Sequence, residues 1–241
     1  MICDFHCRIY EKTELQRISE REKALPFSDG SFSDLSEKEE ACGVYKFVVL
    51  NGGAALSGTA IPFYTVKDPA DEKLPKLRSL GYYGICVDPE ELRIPVDDRR
   101  LSPVFECASA LGLAVCVRCG GHHFSEYAYC SPDRLCAVSD RYEGSALIFS
   151  HLGGCRSRGG AAELLQRKNV YFDTASCVFG ISVSFIGQII SEYANKILFG
   201  SDMPWCSPAL ICAFLNCAGV SGKERELIER GNAENLLSSI Y

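Results

Sequence analysis

His6, His151 and Asp202 are the residues of this chain whose types suit hydrolytic chemistry. Each stands at the end of a short apolar run: Ile2-Cys3-Asp4-Phe5 before His6, Ala146–Ser150 before His151, and Ile197–Ser201 before Asp202. Two imidazoles and a carboxylate suit a borderline divalent ion such as zinc. Such an ion lowers the pKa of a bound water toward neutrality, and an adjacent aspartate can take the proton from the attacking water. Arg8 follows the first of these runs, and Arg118 closes another, Leu113–Arg118. A guanidinium fork binds a carboxylate or phosphate through two parallel hydrogen bonds, but two permanent cations repel a dication. The metal-free alternative therefore stands beside the metal site. In it Arg8 and Arg118 hold an anionic substrate, Asp202 is the general base and His151 donates to a developing oxyanion. Trp205 follows Asp202 and either lines the pocket or packs at its mouth.

Plainer roles exist for each residue. A lone buried histidine is satisfied by neighbours, Asp202 can cap a helix starting near Pro204, and Arg8 can pair with Asp4, Asp88 or Asp202. His122 and His123 are replacement ligands on one reading and a polar loop on the other.

Positioning such residues requires strands that end together. Eight apolar runs qualify: Ile2–His6, Tyr45–Leu50, Thr59–Tyr64, Tyr82–Val87, Leu113–Arg118, Ala146–His151, Asn169–Asp173 and Ile197–Asp202. Amphipathic stretches at Asp71–Leu80, Arg100–Leu111, Ala161–Lys168, Val183–Ala194 and Pro208–Ala218 alternate with them. That alternation argues for parallel βαβ units, and strands too apolar to face water favour a closed α/β barrel, a single TIM-type (β/α)8 domain over residues 1–241. An open doubly wound sheet is the competitor, and it lacks a Gly-x-Gly-x-x-Gly after the first strand. Within the first strand, period-2 alternation places Asp4, His6 and Arg8 on one face and Cys3, Phe5 and Cys7 on the other. Glu11–Glu40 is polar and carries Ser28-Asp29-Gly30-Ser31 turn chemistry, so it reads as a lid over the mouth or a solvated insertion.

Asp4-Phe5-His6-Cys7-Arg8, Phe149-Ser150-His151-Leu152-Gly153-Gly154, Leu198-Phe199-Gly200-Ser201-Asp202-Met203-Pro204 and Gly231-Asn232-Ala233-Glu234-Asn235 resemble strands 1, 6 and 8 and the C-terminal motif of the amidohydrolase superfamily, in its amidohydrolase-related branch. Tyr171-Phe172-Asp173-Thr174-Ala175 is similar to the same branch. The resemblance implies a (β/α)8 barrel, and an activity drawn from lactonases, decarboxylases and hydratases. It also implies one divalent metal, zinc foremost, held by His6, His151 and Asp202. Some lactonases of the branch work without metal. Arg8 and Arg118 depart from the pattern, standing where it has histidine ligands. Three functions follow as expectations: a hydrolase of a small anionic ester, lactone or amide; a decarboxylase or hydratase; or a ligand-binding barrel that has lost its metal.

The net charge of −6 and the lack of Lys/Arg clusters argue against nucleic acid as a partner. No basic-then-apolar leader opens the chain, and no apolar run reaches the roughly 18 residues of a membrane span, so a cytoplasmic protein is expected. The expected partner is a small-molecule substrate, with assembly into a homodimer left open. Fourteen cysteines lie mostly in apolar runs and are expected as thiols. The Cys116-x-x-Cys119 spacing has no second pair to make a metal site of it.

Overall fold

The computed structural model describes residues 1–56, 58–119, 127–154 and 158–240. His122 and His123 lie outside the described residues. The chain alternates strand and helix: β1 (Ile2–Cys7), α1 (Lys12–Glu22), α2 (Phe32–Ala41), β2 (Val44–Val49), β3 (Ala60–Thr65), β4 (Gly84–Val87), α3 (Ser102–Leu111), β5 (Ala114–Val117), α4 (Pro132–Arg141), β6 (Leu147–Phe149), α5 (Arg158–Leu165), β7 (Val170–Asp173), α6 (Val183–Tyr193), β8 (Ile197–Leu198), α7 (Pro208–Cys217) and α8 (Asn232–Ser239), with shorter turns between them.

The eight strands pair in chain order and all in parallel. The first and last strands then meet. Phe5 N–H donates to the Phe199 carbonyl at 2.7 Å, Arg8 N–H to Met203 at 2.8 Å and Asp202 N–H to His6 at 2.9 Å. The ring is therefore a barrel, not an open sheet. Alternate residues fill its lumen: Cys3, Phe5, Val48, Leu50, Phe63, Cys86, Ala114, Cys116, Ile148 and Leu198 form one buried cluster. Gly84 is required there, because a Cβ at that position would lie 2.3 Å from the Phe63 ring. Ala233, Leu236, Leu237 and Ile240, on and just after α8, join the same cluster and plug the N-terminal end. The other set of alternate residues, among them Ile85, Val87, Val115, Val117, Phe149 and Phe172, packs against the helices.

Two local expectations are corrected. Alternation in β1 breaks: the pairing with β2 shifts register between Asp4 and Cys7. Phe5 stays in the lumen cluster while Cys7 joins the outer one. This bulge turns His6 and Arg8 inward and leaves Asp4 outside, beside Cys7 and Glu39. Asp4 thus does not share a face with His6. The stretch Asp71–Leu80 forms only one 3-10 turn, Leu74–Lys76. Pro75 lacks a backbone donor and is tolerated only in the first turn of a helix, so a helix begun at Asp71 cannot run through it.

Glu11–Glu40 is mostly helical. Ser31 caps α2 by accepting the Asp34 N–H, and Leu35 and Glu39 are buried against the barrel. The intervening loop touches the end of β8, where Phe27 N–H donates to the Pro204 carbonyl at 2.6 Å. No disulfide joins any two described cysteines. No described helix is long and apolar enough to cross a membrane.

Candidate active site

Six of the eight strands bring a charged or imidazole side chain to the C-terminal end of the lumen. β1 contributes His6 and Arg8, β4 leads into Asp88, β5 into Arg118, β6 into His151, β7 ends on Asp173 and β8 leads into Asp202. This is the end of a TIM barrel at which reactive groups collect.

Asp173 is the hub. Its Oδ2 accepts from His6 Nδ1 at 2.9 Å, while its Oδ1 accepts the His151 N–H at 2.8 Å and the Ala175 N–H at 3.1 Å. One buried carboxylate thereby orients both histidines. Gly200 lets them approach, because a Cβ there would stand 3.1 Å from His6 Cβ and 3.2 Å from Asp173 Cβ.

His151 begins an unusual turn. His151, Leu152, Gly153 and Gly154 all have positive φ, at 56°, 54°, 66° and 61°. Two consecutive non-glycine residues in left-handed geometry are strained and persist only where surroundings over-determine them. Here the Asp173 carboxylate supplies that constraint. Asp202 is also left-handed, with φ 74°. Its backbone N–H is held by His6 O, and its Oδ2 accepts from Ser176 Oγ at 2.6 Å.

The tautomers follow from the partners. His151 Nδ1 lies 2.8 Å from the Ala175 carbonyl, which can only accept, so Nδ1 carries the proton. Burial drives the ring's pKa down to about 4, against the pull of Asp202. His151 Nε2 is then a lone pair with no partner. The ring offers an acceptor to the pocket, so the expected donation from His151 to an oxyanion is not what this arrangement provides. His6 is different. Burial opposes its charge, but Asp173 and Asp202 outweigh that and raise its pKa. His6 Nε2 faces Asp202 Oδ1 at 3.4 Å. Without a shared proton or cation, these are two acceptors facing each other, and neither has a hydrogen-bond partner.

Three partnerless buried atoms, His6 Nε2, His151 Nε2 and Asp202 Oδ1, thus belong to the three expected metal ligands. Their chemistry fits a divalent ion. Each histidine gives its other ring nitrogen to a carboxylate or backbone carbonyl, the usual support of a metal-bound imidazole. Ligands about 2.0–2.1 Å from a tetrahedral zinc stand about 3.4 Å apart. Among the described residues, the donor sets that meet within 4.8 Å are His6 with Cys116 and Asp173, and Asp4 with Cys7 and Glu39.

The arginines are neutralised from one side. Asp88 Oδ2 lies 3.0 Å from Arg118 Nη1 and 3.9 Å from Arg8 Nη2. Burial works against the charge of Asp88, yet Arg118 and Arg8 hold its carboxyl below the ordinary value. For Asp202, burial is likewise outweighed by His6, His151 and Arg118, and its pKa is lowered. The Nε atoms of both arginines are buried without a partner. Below them Arg8 Nη2 lies 3.7 Å from the sulfur of Cys86. Trp205 is buried and its ring stands 6.2 Å from Tyr10, which itself bonds Arg8. Trp205 therefore backs the wall of the site through Tyr10.

Sequence reasoning passed over Asp173 as a site residue and treated Asp88 only as a partner for Arg8. Both had a signal. Each is the last lumen-facing position of a strand, at the same level as His6 and Asp202.

Solved structures resemble the whole chain, among them the following three. An uncharacterized TIM-barrel protein from Bordetella bronchiseptica is 20% identical, with 99% of both chains covered and a TM-score of 0.80. A candidate 2-pyrone-4,6-dicarboxylic acid hydrolase from Pseudomonas putida is 16% identical over 99% of this chain and 97% of its own, with a TM-score of 0.75. A 5-carboxyvanillate decarboxylase from Sphingomonas paucimobilis is 12% identical over 98% of each, with a TM-score of 0.69. At these identities the likeness concerns the fold. No curated protein sequence matches the chain. The model of the family described as Amidohydrolase matches residues 38–238, and the chain belongs to that family.

Proposed function

We propose that this chain is a hydrolase of a small lactone, ester or amide that carries a carboxylate. One observation carries the reading: buried, partnerless acceptors of His6, His151 and Asp202 meet buried, partnerless donors of Arg8 and Arg118 at one end of the lumen. Acceptors suit a water or a cation, and donors suit an anion.

His6, His151 and Asp202 are the residues that would hold one divalent ion, zinc by donor type. When bound, such an ion polarises the scissile carbonyl and acidifies water. The remaining work falls to the chain. Arg118, the more exposed of the two arginines, grips the substrate carboxylate, with Arg8 behind it. Asp202 is ionised, because three positive or polar neighbours stabilise its charge, and takes a proton from water at Oδ1. Ser176 and the His6 carbonyl keep that carboxylate aimed. Without the ion, the His151 Nε2 lone pair would instead orient the water toward the same base. The guanidinium Nε–H groups replace His151 as donors to developing negative charge.

A decarboxylase is the second reading. The same clamp would hold a carboxylate that leaves as carbon dioxide, and decarboxylases of 5-carboxyvanillate and of 2,6-dihydroxybenzoate are among the similar structures.

The test is a matched panel of lactones, esters and amides with and without a carboxylate, assayed after metal removal and after zinc restoration. Hydrolysis confined to the carboxylate-bearing members is expected. Carbon dioxide release without hydrolysis establishes the second reading. Thermal stabilisation by carboxylates with no turnover marks a binding protein and overturns both.

A further inference from the structure

The bulge in β1 leaves a second set of donors on the outer wall of the barrel, with no part in the chemistry above. Asp4 and Cys7 from β1 and Glu39 from α2 have no solvent exposure. One donor atom of each lies within 4.8 Å of the other two. Cys7 Sγ stands 3.5 Å from Glu39 Oε1, and the Ser201 hydroxyl borders both Asp4 and Cys7. Asp4 Oδ2 and Glu39 Oε2 are buried with no hydrogen-bond partner at all. The groups that reach Glu39 are Asp4 and Cys7, and neither is a cation.

A buried carboxylate needs a counter-charge or a full set of hydrogen bonds. Neither is met here, since one oxygen of each carboxylate is buried without a partner. An atom seated among the two oxygens and the sulfur satisfies all three. Two carboxylates and a thiolate are donors for a borderline-soft divalent ion, and a neighbouring hydroxyl completes four.

We propose that Asp4, Cys7 and Glu39 form a structural site for a thiophilic divalent cation of the zinc class, separate from the lumen site. Its consequence runs through Asp4. The other oxygen of that carboxylate accepts the backbone N–H of His6 at 2.9 Å and of Ser201 at 3.0 Å. A cation on Asp4 pins the backbone beside His6 on one side of the β1–β8 junction and beside Asp202 on the other.

The test loads the full chain with cobalt(II), dialyses it without chelator, and reads thiolate-to-cobalt charge transfer by absorption and metal content by elemental mass spectrometry. The His151→Ala/Asp202→Asn double variant, crippled in the lumen site, is expected to keep both the band and one equivalent of cobalt. Cys116→Ser should also keep the band. Cys7→Ser should lose it, and Glu39→Gln, which preserves shape but not charge, should weaken cobalt binding at least ten-fold. Should Cys7→Ser fail to fold, Glu39→Gln carries the same decision. A band that survives Cys7→Ser but disappears in Cys116→Ser would place the thiolate in the lumen and overturn the proposal. So would loss of all cobalt from the lumen double variant, or unchanged affinity in Glu39→Gln.

Discussion

Below Cys86 and Cys116 the lumen holds Phe5, Val48, Leu50, Phe63 and Ile148, sealed by Leu236, Leu237 and Ile240. Above them it holds His6, Arg8, Asp88, Arg118, Asp173 and Asp202. The lower half has few polar groups to satisfy and derives its stability from burial, at roughly 1.5–3 kcal/mol for each large side chain. The upper half contains partnerless polar atoms and left-handed backbone at His151, Leu152 and Asp202. Both features cost stability and are tolerated where geometry serves chemistry. The contrast teaches that one barrel separates what holds it together from what it does, along a single axis.

The comparison is broken most directly by substitutions that should affect only one half. Phe5→Ala opens a cavity in the lower lumen and should cost about 3–5 kcal/mol in urea or guanidinium unfolding. Carboxylate binding by the folded fraction should hardly change; a large loss of affinity would mean the halves are coupled. Asp202→Asn should do the reverse, lowering turnover by about 100-fold or more with the far-ultraviolet circular dichroism unchanged. Asp173→Asn loosens the histidines without touching substrate. Zinc affinity measured by competition should fall by about 10–100-fold. Arg118→Ala should raise KM for carboxylate-bearing substrates by about ten-fold, the worth of one charge-assisted pair, and leave neutral analogues unaffected.

The smallest effect is a pH dependence of metal-free protein. His151 titrates at about 4 when folded against an ordinary 6.5, so folding favours its neutral form. Its stabilisation is present above pH 6.5 and declines as pH falls from there toward 4, because the unfolded chain binds the proton first. His6 has the opposite sign. Its raised pKa contributes stability below the ordinary value, lost as pH rises through the folded one. Denaturation midpoints of wild type and His151→Gln across this range should differ in their acid-side slope.

The eight strands were legible because a parallel barrel buries both faces of each strand, and apolar runs flanked by glycine betray that at any position. The order of strands and the levels of His6, Arg118 and Asp202 followed from the same pattern. What escaped reading depended on contacts between distant segments. The bulge at Asp4–Cys7 changes which side chains face inward, yet nothing in Asp4-Phe5-His6-Cys7-Arg8 departs from plain alternation. Asp173 was hidden because its importance lies in three partners, on β1, after β6 and after β7. The acceptor state of His151 is set by one backbone carbonyl, Ala175 O, which sequence alone does not place. Asp71–Leu80 misled because its amphipathic spacing is real and Pro75 overrides it.

The junction of β1 with β8 has a consequence for the order in which the molecule is made. His6 and Asp202 stand on opposite sides of that seam, nearly two hundred residues apart in the chain but joined by the Asp202 N–H to His6 carbonyl bond. Closing so long a loop carries a large entropic cost, and such contacts tend to form late. Newly synthesised chains, and any intermediate that lacks its last strand, therefore possess most of the core but not the complete site. Ligand binding in this molecule reports completed assembly, and a ligand that bridges the seam would trap the closed ring against reopening.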